Sequence, residues 1–236
     1  MSEDPRTPTT PLLSATVVML RDAARGLEVL LLQRTARDGG TGGAWVFPGG
    51  RVEDEDRRGT GRDPVIALQR SAVRETREEA GLELDGESLL YISRWITPEV
   101  ASRRFDTHFY ATRLQEEATV RVDGQEIRTH RWMRPEEALR ESRAGTLRLA
   151  PPTFVTTDWL VPHETVESAL STLAQGPILT FRPRICAVND GACMLYPGDA
   201  GYEDRDPVRP GRRHRLWALS AGMRYERSPE ARSGDN

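Results

Sequence analysis

The chain predicts an α+β fold or an α/β sandwich. Three observations carry that expectation. Apolar strand-like runs open the chain, and one strongly periodic helix follows them. More strands come next, and helices with a β-rich stretch close the sequence. At 236 residues there is room for one large domain or two small ones. Hydrophobic residues make up 37% and charged residues 29%, enough apolar material for one buried core.

The elements follow in order. Residues 1–11 are rich in proline and threonine and read as a loose tail. Residues 13–20 and 27–34 read as strands joined through Arg21 to Gly26 as a hairpin. A glycine-rich stretch, 35–50, holds a short strand from Trp45 to Phe47. Residues 51–62 are charged and lack an apolar period, so an exposed loop is expected. A helix then starts with Asp63 as cap and Pro64 at its first position, and stops at Gly81. Val65, Leu68, Ala72, Val73, Thr76 and Ala80 give it a helical period.

Further strands are predicted at 88–97, 105–113 and 126–134, and a short helix opens at Pro135. A helical stretch from Thr153 to Leu173 is broken near Pro162. The β-rich segments are 178–188, 192–196 and 213–219. A tail is expected over 227–236. The C-terminal region either packs on the main domain or mediates a homodimer; both remain open at this level.

Composition excludes several chemistries. All 33 basic residues are Arg, so a lysine Schiff base or a P-loop lysine is ruled out. A net charge of -3 argues against a broad nucleic-acid face. No apolar run approaches the ~20 residues that span a bilayer, and the acidic N-terminus is no secretory signal. No nucleic-acid or membrane partner and a cytoplasmic location are therefore expected. Cys186 and Cys193 are the only cysteines; two buried free thiols are expected, with neither hairpin register placing them directly opposite each other.

The chemistry concentrates in Arg74-Glu75-Thr76-Arg77-Glu78-Glu79-Ala80-Gly81-Leu82. Glu75, Glu78 and Glu79 fall on one arc of about 100° on the helix. Crowded carboxylates repel one another, but hard oxygen ligands of this kind suit Mg²⁺ or Mn²⁺. A merely solvated acidic face is the competing reading. The flanking Phe47-Pro48-Gly49-Gly50 turn lets backbone approach a ligand closely and shifts the balance.

These residues resemble the signature of the Nudix hydrolases, G-x5-E-x7-R-E-U-x-E-E-x-G-U, with U aliphatic. Gly50 is followed after five residues by Asp56, and Arg74 to Leu82 supply the rest. Asp56 stands in place of Glu, Thr76 in place of the aliphatic residue, and the spacer is seventeen residues, 57–73, an excess of ten. The resemblance implies an α/β/α sandwich with a mixed sheet over 12–150, and leaves 151–226 as a helical and β-rich extension. It implies a metal-dependent hydrolase of nucleoside diphosphates linked to another moiety. On that reading Glu75, Glu78, Glu79 and the Gly49 carbonyl hold Mg²⁺ or Mn²⁺, Glu75 or Glu78 acts as general base, and Arg74 orients the carboxylates.

A second resemblance concerns substrate. Leu30, Leu31, Arg34, Gly43 and the FPGG turn match the spacing of a motif in the CoA diphosphohydrolases of this family, although Gly39 stands where that motif has Arg. Residues 94–110, with the long insertion, are similar to a branch that includes the mammalian peroxisomal CoA diphosphohydrolase. Arg34, Arg103 and Arg104 are then candidate substrate contacts, and Glu99 a candidate distant base. The expected substrate is CoA or acyl-CoA. The alternatives are ADP-ribose, a dinucleotide, a nucleotide sugar, or a non-catalytic nucleotide-sensing domain.

Overall fold

The computed structural model describes residues 10–35, 42–61, 63–115 and 118–229. Residues 1–9 and 230–236 of the tails expected at 1–11 and 227–236, and Gly39, lie outside the described residues. The first hairpin is longer than expected. Strand β1 spans Leu12–Ala23 and β2 spans Gly26–Arg34, because Ala23 pairs with Gly26 and only two residues turn the chain. Arg21 to Ala23 belong to the strand, where Arg21 is held across the ladder by Glu28 at 2.6 Å.

Around β1 forms a mixed eight-stranded sheet. Strands β5 (Leu90–Ile96), β6 (Phe105–Arg113) and β7 (Ile127–Met133) lie where expected. Strand β6 runs parallel to β1, and β7 lies antiparallel to β2. β1 and β2 pair with each other only over Leu20–Ala23 and Gly26–Val29. Beyond that point β3 (Trp45–Val46) joins β2 and β4 (Gly49–Arg51) joins β1. Phe47 and Pro48 therefore cross the fork between the two long strands.

Strand alternation builds two apolar layers. Val17, Met19, Leu30 and Leu32 pack on one face against Leu68 and Ala72 of α1 (Pro64–Ala80). Val18, Leu20, Val29 and Leu31 face the other layer. That layer contains α2 (Pro135–Arg143), α3 (Pro151–Leu160) and α4 (Val166–Gln175). The helical stretch after Thr153 is thus two helices, with Pro162 in the turn between them.

The C-terminal region packs onto this core rather than standing apart. Strand β8 (Leu179–Phe181) extends the main sheet beside β5. Strands β9 (Arg184–Val188), β10 (Gly191–Leu195), β11 (His214–Leu219) and β12 (Gly222–Arg227) form a second antiparallel sheet. Phe154, Phe181, Tyr196 and Leu216, all fully buried, share one cluster with Val18 and Trp95. Strand β12, part of which had been expected as a tail, is closed against β11 by Gly222.

The cysteine register departs from expectation. Asn189 and Asp190 make a two-residue turn with Val188 opposite Gly191, so Cys186 sits directly opposite Cys193. Both remain free and buried. No helix among the described residues is long and apolar enough to cross a membrane.

Candidate active site

Helix α1 is set as its sequence dictates. Asp63 accepts the Val65 amide at its start, and Gly81 closes it in the left-handed region at φ 67°. Its C-terminal half carries Arg74, Glu75, Glu78 and Glu79 toward β4. The approach is close: a Cβ on Gly50 would lie 2.2 Å from Glu75 Oε1, and one on Gly49 would lie 2.3 Å from the Ala15 carbonyl oxygen. Only glycines let the turn run this near to the helix carboxylates and to β1.

Arg74 is the organiser. Its Nη1 donates to Glu75 Oε1 and to Glu78 Oε2, each at 2.9 Å. Its Nε and Nη2 grip Asp56 at 3.2 and 2.9 Å, and Nη2 also reaches the Arg51 carbonyl at 3.0 Å. Burial opposes the guanidinium charge, but Asp56 and Glu75 outweigh it and push the pKa further up. Asp56 is 3% exposed, so the expectation of a wholly exposed loop over 51–62 is corrected. A carboxylate with a bidentate arginine partner is stable inside, and Val52 and Thr60 turn in beside it.

The three glutamates differ in environment. Glu78 is half-exposed. Burial pushes the Glu75 carboxyl up, against the pull of Arg74. Glu79 is buried; its Oε2 accepts the Gly49 amide at 2.9 Å, and Arg34 Nη2 approaches Oε1 at 3.5 Å. Burial outweighs the Gly49 amide and Arg34, and pushes the carboxyl up to about 8.

Glu126 was not legible in the sequence as a site residue. It precedes β7 in an ordinary Asp-Gly-Gln-Glu turn, and nothing local marks it. The sheet brings it in: its carbonyl accepts the Thr35 amide at 2.8 Å, next to Arg34. Its charge raises the carboxyls of both Glu75 and Glu79.

Among the described residues no three His, Cys, Asp or Glu side chains converge as a ready-made metal-binding group. Glu75 and Glu78 turn to Arg74, and Glu79 turns to Gly49. The donor set nevertheless fits a hard divalent cation. Glu79 Oε1 is a buried carboxylate oxygen with no hydrogen-bond donor, and a nearby cation would favour its ionised form.

Beside the glycine turn lies a cavity of about 430 Å³. Arg34, Gly49 and Gly50 stand at its wall with Phe47, Trp95 and Phe109. Arg103 and Arg104 are not among its lining residues. Arg104 is 8% exposed and donates through Nε to the Thr97 carbonyl at 3.2 Å. Arg103 lies over the Phe105 ring at 5.1 Å. Both brace the 97–105 loop. Glu99 is exposed in that loop. Trp95 stacks on Phe181 at 3.8 Å, so one of its faces is already covered.

The sequence pattern of the NUDIX domain matches residues 10–153, more than half of the chain. The chain belongs to the NUDIX family. Acyl-coenzyme A diphosphatase NUDT19 of Xenopus laevis is 23% identical over a 275-residue alignment, covering 76% of this chain and 72% of that protein. The Homo sapiens protein of the same name is 33% identical over 121 residues, which cover 48% of this chain and 32% of that one. A crystal structure of a NUDIX hydrolase from Alicyclobacillus acidocaldarius superposes with a TM-score of 0.64 at 27% identity, covering 72% of this chain and all of that one. The Nudix pattern ends near the start of α3, yet the buried core of this Nudix diphosphohydrolase continues through Phe181, Tyr196 and Leu216.

Proposed function

We propose that this Nudix hydrolase cleaves the diphosphate of CoA or an acyl-CoA, releasing 3′,5′-ADP and the corresponding 4′-phosphopantetheine. The observation that carries the reading is the Arg74-centred carboxylate cluster beside the cavity at the glycine turn. Similarity to two acyl-coenzyme A diphosphatases favours CoA over other diphosphates.

Glu75, Glu78 and Glu79 would hold Mg²⁺ or Mn²⁺, with the Gly49 backbone as a further ligand. When bound, such an ion neutralises the diphosphate and activates water for in-line attack on phosphorus. The chain's own groups do the rest. Arg74, fixed by Asp56, sets the directions of Glu75 and Glu78. Arg34, at the cavity wall beside Glu79, supplies positive charge to a phosphoryl oxygen. Glu78, the most exposed of the three, takes the proton from the attacking water on its carboxylate. Glu126 adds negative charge that keeps the site attractive to a divalent cation.

The test is hydrolysis of CoA, acyl-CoAs, ADP-ribose, diadenosine polyphosphates and deoxynucleoside triphosphates, each with Mg²⁺, with Mn²⁺ and with chelator. Products are identified by mass. Formation of 3′,5′-ADP only when a divalent ion is present supports the reading. Faster turnover of ADP-ribose or a dinucleotide than of either CoA form overturns the CoA assignment. No metal-dependent turnover of any substrate overturns the enzyme mechanism as well.

A further inference from the structure

The cavity has two unlike ends. Arg34, Gly49 and Gly50 mark the charged end, next to the helix carboxylates. The far wall, across β6 and β5, is apolar and is shared between the main sheet (Trp95, Ile96, Phe105) and the C-terminal extension. Pro183, Ile185 and Met194 come from the second sheet or its approach, while Pro151 and Pro152, which open α3, line the cavity on the side of Trp45. Ile185 and Met194 are cross-strand partners on β9 and β10. Their neighbours Cys186 and Cys193 point to the opposite face of that sheet and pack with Leu195 and Tyr202. The Ile185–Met194 rung is thus the part of the second sheet presented to the cavity.

Ile185 stays 41% exposed there, an apolar side chain beside a space that water would otherwise fill. A small-molecule site of this kind is apolar with few polar groups, and a methionine adapts its shape to an apolar guest.

A substrate with its diphosphate at Gly49 and Gly50 can put only one of its two arms into this space. Both arms carry groups that need a partner once dry, but the nucleoside arm of CoA brings base edges, a ribose hydroxyl and a charged 3′-phosphate, against two amides and one hydroxyl on a flexible alkyl chain. The wall offers few partners. The Ser14 and Thr107 hydroxyls that line it bond each other at 2.7 Å, which leaves one free O–H between the two. The covered face of Trp95 provides no stacking platform on that side.

We infer that the C-terminal extension is the specificity element of this enzyme, and that the Ile185–Met194 rung seats the aliphatic, non-nucleoside arm of the substrate. The arm's chemistry is branched alkyl and amide, of the pantetheine type, alone or as its thioester. The nucleoside arm stays outside this cavity. The inference rests on the diphosphohydrolase reading above for the placement of the diphosphate.

The test pairs selectivity with binding in the full chain. Ile185→Glu and Met194→Gln are compared with wild type on CoA and on ADP-ribose, with thermal unfolding to verify the fold. Since Ile185 is partly exposed, the fold tolerates a polar side chain at that position. The ratio of kcat/KM for CoA to that for ADP-ribose is expected to fall by about tenfold or more, as for loss of apolar pocket contacts. Calorimetric binding of 4′-phosphopantetheine is expected to weaken in Ile185→Glu, while Glu78→Gln in the same metal-free buffer keeps it. An unchanged ratio in both variants overturns the inference and leaves the diphosphohydrolase reading intact. Wild-type preference for ADP-ribose, with no binding of 4′-phosphopantetheine, also overturns it. Retained, rung-dependent binding of 4′-phosphopantetheine in a chain that hydrolyses nothing supports the seat and sinks the reading it rests on. Where Met194→Gln unfolds, Ile185→Glu alone decides.

Discussion

Two positions within the signature show how environment sets a residue's part. At Glu78 the carboxylate is half-exposed and tied to Arg74 at 2.9 Å. Glu78→Gln keeps the size and removes the charge. It also relieves like-charge crowding on α1, so helix stability hardly changes, while phosphoryl charge loses its stabilisation. A fall in kcat of roughly two orders of magnitude or more is expected, with unchanged unfolding temperature. Wild-type turnover in that variant would remove Glu78 from the site. Thr76 is the departure that matters for stability. It is fully buried, and its Oγ1 has no hydrogen-bond partner. The family pattern has an aliphatic residue there. Thr76→Val keeps the β-branched shape and a similar helix propensity, while removing an orphaned hydroxyl that costs about 1–3 kcal/mol. A raised unfolding temperature is expected; a lowered one would mean that the hydroxyl is satisfied in solution. Glu75, Glu78 and Glu79 were legible because helical spacing places them on one arc beside the glycine turn, and Arg74 because the resemblance to the Nudix signature marks it. Glu126 was not, because its part depends on a pairing between strands nearly a hundred residues apart in sequence.

Among the elements, α1 was readable from end to end because its signals are local: Asp63, Pro64 and Gly81 act through their own backbone. The loop before it was misread because charge was taken as exposure. Arg70 Nη1 donates to the carbonyl of Arg58, and Arg74 holds Asp56, so helix and loop are tied together. Shortening 57–63 would remove the Arg70 contact to Arg58 and the Asp63 cap, while Asp56 stays. Asp63→Ala alone is expected to cost about 1 kcal/mol, measured by urea unfolding. The second sheet depends on another tie. Asp199 and Arg215 are fully buried and meet at 2.6 Å, and Asp199 also accepts the Gly201 and His214 amides. Burial works against the Asp199 charge, but Arg215 and the two amides prevail and hold the carboxyl below its usual 3.8. A depressed folded value means stability that is complete above the unfolded value and lost as pH falls through the folded one. Asp199→Asn is therefore expected to flatten the acid limb of the stability curve below about pH 4. It should also destabilise the chain at pH 7 by about 3–5 kcal/mol, because Arg215 is left buried without its anion. An acid limb identical to wild type would assign that pH dependence to other carboxylates.

For the molecule as a whole, the order of elements predicted the sandwich, but not how its parts close on one another. Periodicity reports which face of a strand is apolar, not which partner covers it. Nothing in the strand's own pattern says what covers Trp95; its cover is Phe181, far along the chain. The stretch after residue 150 reads as an extension whose place, on the main domain or in a homodimer contact, the pattern leaves open. In the folded chain β8 completes the main sheet, and Phe181, Tyr196 and Leu216 are fully buried in the cluster that holds Val18 and Trp95. A chain ending at 176 would lose all three. Each large apolar side chain withdrawn from such a core removes roughly 2–5 kcal/mol, whereas a domain has only about 5–15 kcal/mol in total. That truncation is expected to abolish cooperative unfolding and to expose apolar surface, read by calorimetry and dye binding. A sharp, wild-type-like transition in the truncated chain would show that the residues up to 176 fold alone, and that the second sheet is an appended module. Phe181→Ala in the full chain separates the two cases without deleting anything. If the core is shared, this one substitution lowers the single unfolding transition of the whole chain by about 3–5 kcal/mol. If the sheet is appended, it splits that transition in two and leaves the temperature of the Nudix part unchanged.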